Sequence, residues 1–198
     1  GRLIGSIGYF FEPIILTAAA TLSNISILGI TKEYGIIEGY VMPLLLLPSF
    51  FTNAISSALL PVISNAYFNK KNEYVKKKLK QAIFFSLVIG IPITIIIFIF
   101  PEYFLQLIYK TKEGATYIRF LAPIFILYYI QAPLASTLQS INRAKYIMID
   151  NTISILLKCL IIFIGAYFMG IYGFLASISI NILIVTLCHL NRVKNALK

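Results

Sequence analysis

The chain has 198 residues, of which 59% are hydrophobic and only 12% are charged, and its formal net charge is +10. A soluble domain carries about 25% charged residues, so this composition excludes an ordinary soluble globular domain and predicts a membrane protein. The basic residues lie between apolar segments and so do not indicate nucleic-acid binding.

Six apolar segments are candidates for membrane crossing, which takes about 17–25 residues of helix. The first, 3–30, is interrupted by Glu12 and Pro13. The second, 37–68, has no charge after Glu38 and holds three prolines and several small polar side chains, so it should face other helices or a wet cavity. We therefore expect an all-α polytopic membrane protein with four further spans at 81–100, 117–141, 147–169 and 174–190.

The loops between these spans differ in charge. In a six-span chain they alternate between two sides, and one side collects Arg2, six lysines of residues 69–80, Arg143, Lys145, Arg192, Lys194 and Lys198. The other side collects only Lys32, Lys110, Lys112 and Arg119. Because cytoplasmic loops carry the excess of lysine and arginine, we expect both termini in the cytoplasm and the chain in the cytoplasmic membrane.

Residues 69–80 form the one strongly basic segment. Val75 and Leu79 are spaced i, i+4, which predicts a short helix lying on the membrane surface. Its lysines either fix the topology and bind anionic lipid headgroups or gather a pyrophosphate-linked substrate at the cytoplasmic mouth. These candidate headgroup-binding residues are Lys70, Lys71, Lys76, Lys77, Lys78 and Lys80.

Polar side chains within or near the ends of the spans are candidates for a translocation cavity: Asn53, Gln131, Gln139 and Arg119. The amides serve equally well as hydrogen bonds between helices, and Arg119 lies near a span end, where it can reach the headgroups. The sequence leaves both interpretations open.

Two charged residues lie deep in the predicted spans. By helical rise, Lys158 is about 16 Å into the fifth span and Glu12 is about 14 Å into the first, measured from the same side. An unpaired charge at that depth is costly. We therefore predict that both side chains face the interior and either pair or line one wet cavity, the alternative being separate contacts with groups such as Gln131 or Asn53.

Enzyme chemistry and cofactor binding are not predicted. His189 is the one histidine, and with Cys159 and Cys188 in apolar runs it cannot complete a usual metal site. The sequence shows no serine nucleophile motif, glycine-rich phosphate loop or carboxylate pair, so we expect no catalytic residues, no metal and no cofactor. The cysteines are expected to be buried and unpaired.

A family resemblance rests on three stretches. Residues 34–67 (YGIIEGYVMPLLLLPSFFTNAISSALLPVISNAY) carry a Tyr-Gly pair, the prolines Pro43 and Pro48, and the run LPVIS before the lysine-rich segment. Two further stretches, LAPIFILYYIQAPLASTLQSINRAK and IYGFLASISINI, follow in order. Together they resemble the C-terminal lobe of the MATE-like (MOP) superfamily, most closely its polysaccharide-biosynthesis and stage V sporulation protein B-like flippases.

The resemblance implies a fold of two six-helix lobes around a central cavity, of which this chain supplies one. The first residue is glycine, so we expect a piece of a longer transporter whose N-terminal six-helix lobe is missing here. The implied function is flipping of lipid-linked oligosaccharide or peptidoglycan precursors, with membrane lipids and a polyprenyl-phosphate-linked glycan as partners. A multidrug antiporter coupled to H⁺ or Na⁺ and a non-transporting membrane scaffold remain the alternatives.

Overall fold

The computed structural model describes the backbone of residues 2–197 and the side chains of residues 8–197, so Arg2 and Lys198, counted above for the cytoplasmic side, lie outside the described side chains. This part of the chain is all-helical and contains no strand. The helices are α1 (Arg2–Leu22), α2 (Ile27–Ile36), α3 (Met42–Phe68), α4 (Asn72–Ile99), α5 (Pro101–Tyr109), α6 (Ala115–Tyr129), α7 (Gln131–Ser140), α8 (Ala144–Met169) and α9 (Ile171–Ala196).

Five helical stretches are long and apolar enough to cross a bilayer, and α1 supplies a shorter apolar helix, Gly8–Leu22. The outer surface of the bundle is apolar, with Leu28, Phe50 and Phe168 all more than two thirds exposed. An exposed apolar surface of this extent suits lipid rather than water. The chain is therefore a multi-pass, all-α membrane lobe, as the composition predicts.

The first loop lies in a different place from the predicted one. Residues 31–36, expected to be a loop, are helical, and α2 runs through a π-helical turn into α3 as one stretch, Ile27–Phe68. The chain turns instead between α1 and α2, where Asn24 has a φ of 57° and the Ser26 hydroxyl accepts a hydrogen bond from the Gly29 amide at 3.3 Å. Asparagine tolerates the left-handed conformation and serine caps a helix, so this loop has a local cause.

Proline explains two irregularities inside the helical stretches. The π turn, Ile37–Val41, ends two residues before Pro43, which has no N–H to give to the Gly39 carbonyl. Within the turn, the Met42 amide bonds the Ile37 carbonyl five residues earlier, as in a π-helix. The predicted fourth span breaks at Ile130 into α6 and α7, three residues before Pro133. Both irregularities lie beside the polar groups described below.

Two further segments predicted as loops are helical. The basic segment 69–80 begins with a turn at Lys70, whose φ is 59°, and then becomes the first part of α4. It is thus the end of a spanning helix and not a separate helix on the membrane surface. Val75 and Leu79 are nevertheless buried, as their spacing predicts. The predicted loop 101–116 contains α5, which starts at Pro101, a favoured first residue of a helix.

The helices pack around two apolar clusters at opposite ends of the bundle. The first cluster contains buried residues of α1, α2, α5 and α6. It also contains residues from the start of α3, from the ends of α4 and α8, and from the first half of α9. The second gathers the end of α3, the start of α4, α7 and the end of α9. The long helices α3, α4 and α9 therefore pass from one cluster to the other and carry buried polar residues between them.

Close helix contacts depend on glycine where α8 meets α9. A Cβ added at Gly173 would lie 2.0 Å from the backbone carbon of Gly165, so no larger residue fits without moving a helix. Small residues at such contacts let helix backbones approach in lipid, where van der Waals contacts hold helices together. This contact fixes α9 against α8, which carries Lys158.

Candidate functional site

A layer of buried polar residues separates the two apolar clusters. On α3 the layer contains Ser49, Thr52 and Ser56; on α4 it contains Ser86 and Thr94, and other members lie on α8 and α9: Asp150, Ser154, Lys158, Thr186 and His189. The layer extends from Lys158 in the middle of α8 to Asp150 near the start of that helix and His189 near the end of α9. Transporters of many kinds place their sites between helices near the membrane midplane, beside broken helices.

Hydrogen bonds between helices hold the layer together. The Tyr129 hydroxyl, at the end of α6, donates to the Leu45 carbonyl of α3 at 2.8 Å and accepts from the Thr94 hydroxyl of α4 at 3.1 Å. Two further bonds join neighbouring helices: Gln131 Nε2 to Thr186 Oγ1 at 2.9 Å and Asn181 Nδ2 to Ser154 Oγ at 2.6 Å. The interhelical hydrogen bond that the sequence allowed for Gln131 is therefore present.

An ion pair lies inside this layer, between α1 and α8. Lys158 Nζ is 2.6 Å from Glu12 Oε1, and both residues are less than a tenth exposed. The Lys158 ammonium also lies 5.3 Å from the centre of the Tyr9 ring and 5.6 Å from that of Phe174. The predicted inward placement and the direct pairing of Glu12 with Lys158 are both confirmed.

Glu38 adds a second carboxylate to this cluster, and the sequence analysis missed it. It lies in the π turn, where its side chain interacts electrostatically with both Lys158 and Glu12. Glu38 Oε1 and Glu12 Oε2 are buried and accept no hydrogen bond from the described residues. Glu12 is thus the carboxylate that contacts Lys158, Glu38 lies within range of their charges, and both carboxylates have acceptor capacity left over. The sequence signal for Glu38 is Pro43, which follows it by about one turn and disturbs the helix there.

A polar groove lies between α3 and α7, near the break at Ile130. Its inner part, about 190 Å³, is lined by residues of α3, α6, α7, α8 and α9 that include Asn53, Gln131, Asn151 and His189. Its outer part, about 410 Å³, is lined by α3 and α7 residues that include Gln139. Asn53, Ala132 and Ala135 line both parts, which therefore form one groove.

His189 lies at the inner end of this α3–α7 groove. From the sequence alone, the one role weighed for it is that of a metal ligand. It is 2% exposed, and neither of its ring nitrogens has a hydrogen-bond partner among the described residues. Next to it on α8, the buried Asp150 accepts a hydrogen bond from Arg192 Nη2 at 3.2 Å. The Arg192 guanidinium also stacks 4.6 Å from the centre of the Tyr146 ring. A search for buried polar residues on the helix face of Arg192 would have indicated His189.

The structure does not bring all of the candidate residues together. Asn53, Gln131 and Gln139 line the groove, whereas Glu12 and Lys158 form their pair between α1 and α8. Arg119 lies away from both, where its Nη2 is 2.8 Å from Oε1 of Glu102, and both of these side chains are partly exposed. The backbone N–H of Glu102 and the Arg119 guanidinium hold the pKa of the Glu102 carboxyl below its usual range.

The lysines of residues 69–80 lie on the turn after α3 and on the first turns of α4. Lys71 lines an open cavity of about 600 Å³ together with Asn65, Asn69 and Tyr74. Lys76 pairs with Glu73 at 2.7 Å, and the Lys78 ammonium lies 5.4 Å from the centre of the Tyr74 ring. These contacts are local to the helix end.

In the described part of the chain, no group of three histidine, cysteine, aspartate or glutamate residues is placed to hold a metal ion.

Comparison with known proteins agrees with this architecture. The MatE family model matches residues 37–164. Stage V sporulation protein B of Bacillus subtilis (strain 168) is 36% identical over 198 residues, which cover 99% of this chain and 38% of that protein. Sporulation protein YkvU of the same organism is 23% identical over all of this chain and 45% of its own length. The chain therefore spans less than half of each relative. No solved structure matches it.

Proposed function

Because the chain belongs to the MatE family, we propose that it forms one lobe of a secondary transporter in the cytoplasmic membrane, completed by an N-terminal lobe of six further helices. The observation that carries this proposal is the buried polar layer between two apolar clusters, beside the break at Ile130 and the π turn. A scaffold gains nothing from a buried ion pair and a polar groove among its membrane-spanning helices, whereas a transporter needs polar groups between such helices.

The proposed substrate is a polyprenyl-phosphate-linked glycan, such as a lipid-linked oligosaccharide or a peptidoglycan precursor. Its two chemical parts match two surfaces of the lobe. The groove offers neutral polar groups inside the lobe, and the lysines of residues 69–80, among them Lys71 at the end of α3, offer positive charge. Lipid tails would remain in contact with the apolar outer surface of the bundle. Membrane lipids and this glycan lipid are therefore the proposed partners.

A second candidate function is a drug antiporter coupled to H⁺ or Na⁺. The carboxylates of the buried Glu12 and the half-buried Glu38 favour it, because each has a buried oxygen without a partner among the described residues. Intramembrane acids are common in proton and cation pathways. The groove argues against it as the main function, since its lining contains no acidic residue that would attract a cationic drug.

A depletion experiment separates the two candidates. Loss of the full-length protein should make the lipid-linked precursor accumulate in the cytoplasmic leaflet, measured in spheroplasts by whether an added hydrolase or lectin can reach the glycan. Re-expression of the wild-type protein should restore its appearance outside. An unchanged leaflet distribution, together with raised sensitivity to cationic dyes, would favour the antiporter.

A further inference from the structure

The α3–α7 groove has a chemistry that points to one part of the proposed substrate. Its named polar lining consists of hydroxyl groups, side-chain amides and one imidazole, with neither a carboxylate nor a lysine or arginine in the lining of either part. Phosphate groups are bound by arginine, lysine or clusters of backbone N–H groups. A groove without those cations is poorly suited to a phosphate and well suited to an uncharged ligand rich in hydroxyl and amide groups.

The arrangement of α3 explains why the groove is continuous. Ser49, Asn53, Ser57, Pro61 and Asn65 follow one another at intervals of four residues, so they form a line that winds by about 160° around the helix from first to last. The first three line the groove, and the last two line the open cavity that contains Lys71. A ligand that follows this line would meet neutral groups in the groove and a cation at the end of the helix.

His189 supplies the independent sign that the inner end of the groove is built for a ligand. Its ring is buried, lines the cavity and has neither nitrogen paired within the described chain. A neutral imidazole offers one donor and one acceptor, which is the combination that a sugar hydroxyl satisfies. Asn53 and Asn151, in the same lining, each offer an amide donor and an acceptor. A buried group such as the His189 imidazole is normally hydrogen-bonded, so its placement calls for a polar partner in the groove, which the exposed Asn53 and the half-buried Asn151 also face.

We propose that the α3–α7 groove is a subsite for the uncharged sugar of the transported lipid, with His189 and Asn53 as its hydrogen-bonding residues and the phosphates bound elsewhere. This inference rests on the proposed function and adds to it which part of the substrate this lobe recognises. The outer part of the groove, about 410 Å³, falls within the range of about 300–1,000 Å³ that small-molecule sites occupy. The inner part extends that space toward His189.

The test measures binding of two probes to the purified full-length protein in nanodiscs. One probe is a polyprenyl diphosphate that carries an N-acetylhexosamine disaccharide, and the other is the same polyprenyl diphosphate without sugar. The wild-type protein should bind the glycosylated probe about tenfold or more tightly than the bare one, since only that probe satisfies the groove. His189→Phe and Asn53→Leu should bring this ratio close to one while leaving the affinity for the bare probe within about twofold.

Ser177→Ala is the matched control. Ser177 is buried on the same helix as His189, but its hydroxyl bonds the Phe174 carbonyl of its own helix and does not line the groove. This variant should keep the wild-type ratio. Asn53 is exposed in the groove, so Asn53→Leu gives a result even if His189→Phe fails to fold.

The outcomes separate this inference from the proposed function. Equal binding of both probes by the wild-type protein, or a ratio unchanged in Asn53→Leu, would overturn the sugar subsite while leaving lipid transport intact. Such a result would mean that the polar groups of the groove serve helix contacts. Failure of the protein to bind either probe would overturn the proposed function itself.

Discussion

Lys158 should be the most costly single charge to remove from this lobe. The Glu12–Lys158 pair is short and buried, and Glu38 lies close to the same ammonium. Lys158→Met would leave the buried Glu12 carboxylate and the half-buried Glu38 carboxylate without a counter-charge, whereas Glu12→Gln would leave Lys158 within range of the Glu38 charge. Removing one partner of a buried ion pair costs about 3–5 kcal/mol, so we expect a loss near the top of that range for Lys158→Met and about 2–3 kcal/mol for Glu12→Gln.

The double variant gives the magnitude of the coupling. With both charges replaced by neutral side chains of similar size, no unpaired ion remains at this position except Glu38. The loss for Lys158→Met combined with Glu12→Gln should therefore be smaller than the sum of the single losses by about 2 kcal/mol. The assay is reversible unfolding of the full-length protein in mixed micelles with increasing denaturing detergent, followed by circular dichroism.

Lys32→Met is the control for this cycle. Lys32 pairs with Glu113 at 2.9 Å, almost as close as the buried pair, but both side chains are more than half exposed. Exposed pairs contribute about 0–1 kcal/mol, so this variant should unfold close to the wild-type protein. Strictly additive losses in the cycle, or a larger loss for Glu12→Gln than for Lys158→Met, would refute the reasoning.

Three further predictions follow from single contacts. Gly173→Ala should destabilise the lobe because the added Cβ would meet the Gly165 backbone, whereas a Cβ at Gly35 has no atom within 4 Å, so Gly35→Ala should be neutral or stabilise by up to about 1 kcal/mol. Thermal unfolding compares the two variants, and equal losses of stability would contradict the close contact. Tyr129→Phe should cost about 0.6–2 kcal/mol by losing two interhelical hydrogen bonds, and the exposed Tyr103→Phe should cost nothing in the same assay. In a variant lacking Cys159 and Cys188, cysteines at Asn72 and Ala144 should react with an impermeant maleimide only from the cytoplasm and one at Glu113 only from outside; labelling of Asn72 in intact cells would refute the six-span topology.

The helical class and most of the spans could be predicted because they depend on long-range composition. Uncharged runs such as 82–101 and 120–141 leave no alternative to a membrane helix, and the charge pattern marks where runs end. The break expected between the predicted spans 3–30 and 37–68 is wrong, because residues 31–36 continue the helix. Lys32 and Glu33 are good helix formers, and no proline follows until Pro43.

The ion pair could be predicted, whereas the rest of the site could not. Glu12 and Lys158 stand out because a deep charge needs a partner, and depth follows from position in the span. Glu38 did not stand out because its depth depends on the π turn and on α2 continuing into α3. His189 lies near the end of a predicted span, and only the packing of α9 against α7 and α8 places it in the groove. Such packing is not readable from one helix at a time.

Reconstitution tests whether the protein transports the glycan lipid. Full-length protein in liposomes should move a fluorescent polyprenyl-diphosphate disaccharide from one leaflet to the other, detected as loss of protection from an impermeant quencher. We expect transport by the wild-type protein, strong loss in Lys158→Met and near-normal rates in Lys32→Met. Liposomes that never move this lipid but expel a cationic dye against a proton gradient would contradict this expectation.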